Sequence, residues 1–464
     1  MQKQFLFHLI ITFFLSFSGG PTFAQGSTFT SAPSAMTKAD SIGSQLSLPQ
    51  AVSIAIRNNL NVNTYDLYLQ QDKIYMNQSW QNMLPTLNAS ASQNLGFGRV
   101  LNSANYTYIN QQTASGNYQL STSVPLFKGF YLQNTIRENT YLYHAGKMDL
   151  QYQKDHITLG IILDYLTVLS SQDQLRITRE QAVVDSVLLG RLITLSKEGW
   201  TATSTISDLP TLQGQYASDL ANIAAADNTF ELAKVNLFAD LNVPYKRDVE
   251  LDRGALVMQL TDYQQTPDSI FQTALGLVPQ VKAADLRVQA YQKYLQAQRG
   301  LYYPTLSFSG SINTYYNNAT PEAFKDQFNN NQSTSLGLTL SIPILNNFQV
   351  RNNVKLAKIA LRSYELQANN TKLLLQQSVE SAYQNMIQAY RTYKADIDQA
   401  AAFADALRIT ETRFKEGVAG VDANIYLPAK RLADQADLSL ILAKYTYIFR
   451  TKVLDYYQGK LNLQ

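Results

Sequence analysis

Four short segments of the chain alternate between apolar and small polar residues with a period of two. Over 86–98, Leu87, Ala89, Ala91, Leu95 and Phe97 fall on one face and Asn88, Ser90, Ser92 and Asn94 on the other. Over 117–126, Tyr118, Leu120 and Val124 oppose Asn117, Gln119, Ser121 and Ser123. Over 305–316, Leu306, Phe308, Ile312 and Tyr316 oppose Ser307, Ser309, Ser311 and Asn313. Over 335–342, Leu336, Leu338, Leu340 and Ile342 oppose Ser335, Thr339 and Ser341. Such alternation predicts four β-strands, each with one apolar face.

Elsewhere the period changes to that of a helix. Val379, Tyr383, Met386, Tyr390, Tyr393, Ile397 and Ala400 follow a 4, 3, 4, 3, 4, 3 spacing, and the seam continues through Ala404, Leu407 and Phe414, interrupted by Glu411. That spacing is the seam of a coiled coil. In the first half, Leu159, Ile162, Leu166 and Leu169 fit the same pattern, as do Val184, Leu188, Leu192 and Leu195. Residues 126–209 and 344–427 contain no proline. A helix from about Lys128 to Glu198 is about 105 Å long at 1.5 Å per residue, too long for a compact domain. Gly199 and Gly417, each after Lys-Glu, end the rods as helix-terminating glycines. Ser204 and Asp422 can cap the helices that return, over 204–242 and 422–458.

The halves repeat at an offset of 218 to 219 residues. Leu84-Pro85-Thr86-Leu87 recurs as Tyr303-Pro304-Thr305-Leu306, and Val124-Pro125-Leu126-Phe127 as Ile342-Pro343-Ile344-Leu345. Lys197-Glu198-Gly199 recurs as Lys415-Glu416-Gly417, and Leu209-Pro210 as Leu427-Pro428. A period this long marks a duplicated unit rather than a solenoid array. The expected organisation is an export signal over 1–24, a flexible segment over 25–47, a first repeat over 48–243, a connector over 244–267, a second repeat over 268–459 and a tail over 460–464.

The amino terminus explains where the strands go. Lys3, the apolar run from Phe5 to Phe17 and the small residues of Thr22-Phe23-Ala24 form an export signal with cleavage before Gln25. No later run is long enough for a membrane helix, so any crossing is made by strands. A half-buried sheet in a soluble protein alternates in the same way. Export, strand lengths near ten residues and a small neutral polar face favour an outer-membrane barrel over that reading. Four strands cannot close, and lipid does not tolerate an open edge, so several chains must contribute. Three chains give twelve strands and room for a lumen.

These features resemble the TolC-type outer-membrane factors. The resemblance runs from about Leu48 to Gly459 and is carried by the Pro-Thr-Leu strand starts, the Val-Pro-Leu and Ile-Pro-Ile strand ends, the Lys-Glu-Gly tips, and the matched helix starts Ala55–Val62 and Ala274–Val281. It implies a mainly α fold with a membrane β part: a homotrimer with a twelve-stranded β-barrel, four strands per chain, continuous with a periplasmic α-helical barrel. It also implies docking to a periplasmic adaptor and an inner-membrane pump, for efflux or type I secretion. Two departures stand out. Family members often carry a lipidated amino-terminal cysteine, and this chain has no cysteine. TolC-like members carry two aspartates three residues apart beyond the second tip, whereas here Asp422 is followed at that spacing by Ile425.

The tips are the expected sites. Glu198, Gly199, Trp200 and Thr201 in the first half, with Glu416, Gly417, Val418 and Ala419 in the second, are candidate adaptor contacts, Trp200 being the aromatic anchor. Asp422 and Tyr426, with Asp208 at the position equivalent to Tyr426, are candidates for a periplasmic aperture. Asp422 can equally serve as a helix cap.

Chemistry of other kinds is not expected. His144 and His156 lie twelve residues apart on one rod, about 18 Å along it, and cannot share a ligand. Asp434 with Asp437, and Asp396 with Asp398, read as solvated helix faces. No phosphate-binding glycine loop, nucleophile elbow or zinc spacing occurs, so neither an enzyme nor a cofactor is expected. With 38 basic against 35 acidic residues, nothing points to nucleic acid. A filament or surface-layer protein would share the helices but not the symmetrically placed strand pairs. An adaptor would have a single helical hairpin.

Overall fold

The computed structural model describes residues 43–101, 106–197, 203–253, 265–416 and 422–461. The expected export signal, most of the amino-terminal segment, part of the connector, both tip turns and the last residues lie outside them.

Each half runs through the same elements. In the first, a short strand β1 (Gln45–Leu46) leads to α1 (Leu48–Asn58) and α2 (Leu60–Gln81). Strands β2 (Thr86–Leu101) and β3 (Tyr108–Lys128) follow, then the rod α3 (Tyr131–Lys197) and the returning α4 (Thr203–Asp240). After β4 (Glu250–Leu251), the second half gives α5 (Pro267–Leu277), α6 (Pro279–Gly300), β5 (Thr305–Asn317), a short α7 (Phe324–Asn330), β6 (Ser333–Ser341), the rod α8 (Gln349–Lys415) and α9 (Ala423–Tyr457). Both rods contain 67 residues, about 100 Å of helix. No helix among the described residues is long and apolar enough to cross a membrane.

The four long strands form one antiparallel sheet in the order β2-β3-β5-β6. Its register is the informative part. Leu87 pairs with Thr122, Thr122 with Gly310 and Gly310 with Leu336, while Val124 pairs with Phe308 and Phe308 with Leu338. Directly paired residues share a face, so the apolar positions of all four strands merge into one apolar surface. The other face is mainly Ser, Thr, Asn and Gln: Asn88, Ser121, Ser311 and Ser335 align in a row, with the hydroxyls of Ser311 and Ser335 2.8 Å apart.

Strand β3 begins at Tyr108, earlier than expected. Its first part places Asn110, Gln112 and Ala114 on the apolar side, so it lacks the alternation that marks a strand in sequence. Near its end, Pro125 has no N–H to donate, and the pairing with β5 shifts there between Pro125 and Phe127. At both outer strands an edge is left without a partner, and every residue of β6 is exposed.

Each strand pair turns into its rod through two consecutive left-handed residues: Gly129 and Phe130 (φ 57° and 60°) before α3, and Asn347 and Phe348 (φ 51° and 58°) before α8. Glycine and asparagine tolerate that conformation best. At Gly129 a side chain is also impossible sterically, because a Cβ there would overlap the Gly300 carbonyl at the end of α6.

The core is duplicated as well. In the first half Leu48, Ala51, Val52 and Ala55 of α1 cluster with Ile161, Ile162 and Leu169 of α3, with Leu237 and Phe238 of α4, and with Leu241 just after it. In the second half α5 packs Ile270 and Ala274 on Val379, Ala382 and Met386 of α8 and on Tyr447 and Leu454 of α9. β1 pairs in parallel with β4, and fully buried Tyr165 sets its hydroxyl 2.9 Å from the Leu46 carbonyl and 2.6 Å from that of Asp252.

Candidate aperture and the helices beneath the tips

Of the expected tip residues, Glu198, Gly199, Trp200, Thr201, Gly417, Val418 and Ala419 lie outside the described residues. Glu416 closes α8, its amide donating to the Thr412 carbonyl at 2.9 Å.

Asp422 caps α9. Its backbone is extended (φ −115°, ψ −176°), its carboxylate accepts from the Asn424 amide at 3.0 Å, and the Asn424 side-chain amide returns a second bond at 3.2 Å. An aspartate suits this place because it satisfies an amide otherwise without an intrahelical partner and meets the positive end of the helix dipole.

Tyr426 and Asp208 are both buried within the single chain. Tyr426 is fully buried within its own chain, stacked on Phe414 at 5.1 Å between ring centres and enclosed by Leu188 and Leu212. It sits one turn inside α9, on the face turned towards α3 and α4. Asp208, 5 % exposed, points across the two halves: its carboxylate accepts from the Ala423 amide at 3.2 Å. Burial raises the Asp208 pKa, the Ala423 amide opposes that, and the Asp422 charge adds to it. On the neighbouring rod, Arg191 of α3 donates to the Lys415 carbonyl at the end of α8 at 2.8 Å. The first hairpin therefore holds both helix ends that flank the second tip.

Below this apolar layer lies a charged one that the sequence pattern concealed. Asp185 (fully buried), Asp219 (6 % exposed) and Lys430 (3 % exposed) meet between α3, α4 and α9. Lys430 Nζ lies 3.2 Å from Asp185 and 2.7 Å from Asp434. The Tyr426 hydroxyl reaches Asp185 at 3.4 Å, and Gln215 donates to Asp219 at 2.9 Å. The heptad reading put Val184 in the α3 seam. Instead Val184 is 39 % exposed and its neighbour Asp185 points inward. Asp434, read as part of a solvated face, is paired with buried Lys430. A spacing of four between Lys430 and Asp434 was the available signal, but it also describes ordinary surface pairs.

The chain's relatives account for a duplicated unit with two helical tips below a four-stranded sheet. Residues 270–452 match the family described as outer membrane efflux protein. The outer membrane protein TolC of Salmonella enteritidis is 26 % identical over 397 residues, covering 78 % of this chain and 74 % of TolC. The chain resembles the TolC-type outer-membrane efflux proteins. Among solved structures, a membrane protein from Pseudomonas aeruginosa superposes with a TM-score of 0.73 at 18 % identity, covering 89 % of this chain and 90 % of its own. The outer membrane protein VceC from Vibrio cholerae gives 0.71 at 14 %, covering 89 % and 96 %. These likenesses extend the TolC-type fold to the first half, which the family match does not reach. The place of the protein is the outer membrane, and solved structures of like fold include the outer membrane channels CmeC of Campylobacter jejuni and MtrE of Neisseria gonorrhoeae.

Proposed function

We propose that the chain is the outer-membrane exit duct of a tripartite system for efflux or type I secretion, working as a homotrimer. The observation that carries this reading is the sheet: four strands with a merged apolar face, a merged small polar face and both edges open. Lipid demands closure, and β6 of one copy against β2 of the next supplies it, giving a twelve-stranded barrel with its polar face inward.

The rods extend the same closure below the membrane. Leu60, Leu67 and Ile74 stand seven residues apart on α2 and are 62–68 % exposed. Ile359, Leu366 and Leu373 repeat that spacing on α8 and are 54–67 % exposed. Two heptad stripes on opposite flanks of one chain suit each other between copies. The tips then form the periplasmic mouth, with Trp200 and its neighbours as the adaptor contact and Asp422 as a ring of three charges. A narrow mouth of low dielectric focuses their field on passing ions. Purified protein in planar bilayers tests the duct: the reading requires conducting particles built of three chains.

A further inference from the structure

We propose that the buried layer of Asp185, Asp219, Lys430 and Asp434 is a proton-operated latch, which holds α9 against the α3–α4 hairpin and loosens the tip when Asp185 loses its proton. The proposal rests on reading the tips as the mouth of the channel.

The geometry favours a proton. Asp185 and Asp219 are both buried between the same helices beside a single ammonium, and burial together with a neighbouring like charge favours the neutral form of a carboxyl. Asp219 Oδ2 is buried without a donor among the described residues, and Asp185 Oδ2 faces only the Lys430 ammonium, 3.2 Å away. Among the described residues Lys430 is the only cation in the layer, and it is shared between Asp185 and Asp434. Fully ionised, three carboxylates and one ammonium leave two uncompensated negative charges between packed helices. One proton on Asp185 halves that.

The surroundings keep the layer dry. Towards the tip stand Tyr426, Leu188 and Leu212. The other charged groups that act on it are Glu411 of α8, whose charge reaches Tyr426 and which pairs with Lys415, and Asp437 of α9, beside Asp434. None of these adds a cation to the layer.

The direction of the effect follows. Burial, the Asp219 contact and the Asp219 charge outweigh Lys430 and lift Asp185 to about 7. Once α9 separates and water enters, the carboxyl returns towards its ordinary value near 3.8. The latched state thus binds one more proton per chain between about pH 4 and pH 7. Latching is fullest below that window, weakens as pH rises through it, and is lost above about 7. Asp185→Asn should mimic the protonated acid, donating to Asp219 and accepting from Lys430 with no proton to lose.

The test compares wild type, Asp185→Asn and Asp219→Asn as full-length trimers from pH 5 to 8.5, by single-channel recording and by amide exchange over residues 423–434. Exchange, corrected for its intrinsic pH dependence, needs no conduction. The wild-type open-to-closed ratio and exchange should rise by up to about tenfold per pH unit per chain until about pH 7. Both variants should stay near the acidic wild-type level throughout. A wild type flat in exchange, or variants that keep its pH response, would overturn the latch. Trimers that shift in exchange but never conduct would leave the latch standing and refute the channel.

Discussion

The Asp208 carboxylate accepts the Ala423 amide across 3.2 Å, so a residue of the first returning helix caps the start of the second. Together with Arg191 on the Lys415 carbonyl, it makes the second tip depend on the first hairpin for both of its helix ends. A duplicated chain has here become one mechanical unit rather than two copies side by side.

Removing that cap should be measurable. Asp208→Ala should destabilise the tip by about 1 kcal/mol, the usual worth of a capping side chain. Amide exchange at residues 423–426 should accelerate correspondingly, roughly fivefold, and Asp208→Asn should restore most of the protection. Equal protection in wild type and Asp208→Ala would show that the bond contributes nothing.

Asp422 separates charge from capping. Asp422→Asn keeps an acceptor for the Asn424 amide but removes three charges from a trimeric mouth. Single-channel recording should show weaker cation preference with unchanged thermal stability. Unaltered selectivity would leave Asp422 as a cap alone.

At the first tip, Trp200→Glu should impair export while trimers still assemble, because a buried aromatic anchor carries a large part of an interface. The checks are transport in cells and native gel migration of the membrane-extracted protein. Normal export by the variant would remove Trp200 from the contact.

The heptad stripes predict where copies meet. Leu366→Ala, on an α8 surface that is exposed in the single chain, should cost about 2–3 kcal/mol at each interface it lines. Trimers should then dissociate at lower temperature in detergent, and Leu67→Ala should act alike. Loss of neither would place the contact between copies elsewhere.

Much of this fold was legible in the chain. Period two located β2, β5 and β6 because their apolar and small polar residues alternate along most of each strand. The rods were legible because two long stretches lack proline and end in Lys-Glu-Gly. What escaped was governed by tertiary context. The first part of β3 is held by pairing to β2 rather than by its own pattern. Asp185 and Lys430 look like surface charges, since a seam read from apolar residues alone prefers Val184. Tyr426 and Asp208 were expected at the aperture from their distance to the tips. Their burial depends on how α4 and α9 cross, and no spacing within one helix encodes that. The link from Asp208 to Ala423 spans 215 residues.

The central claim is that this chain closes a membrane barrel only with two others, and native mass spectrometry of detergent-extracted protein, paired with bilayer recording of the same sample, tests it most directly. The account predicts conducting particles containing three chains and no conduction from single chains. A single chain that conducts, or a protein that remains monodisperse without detergent, would contradict it.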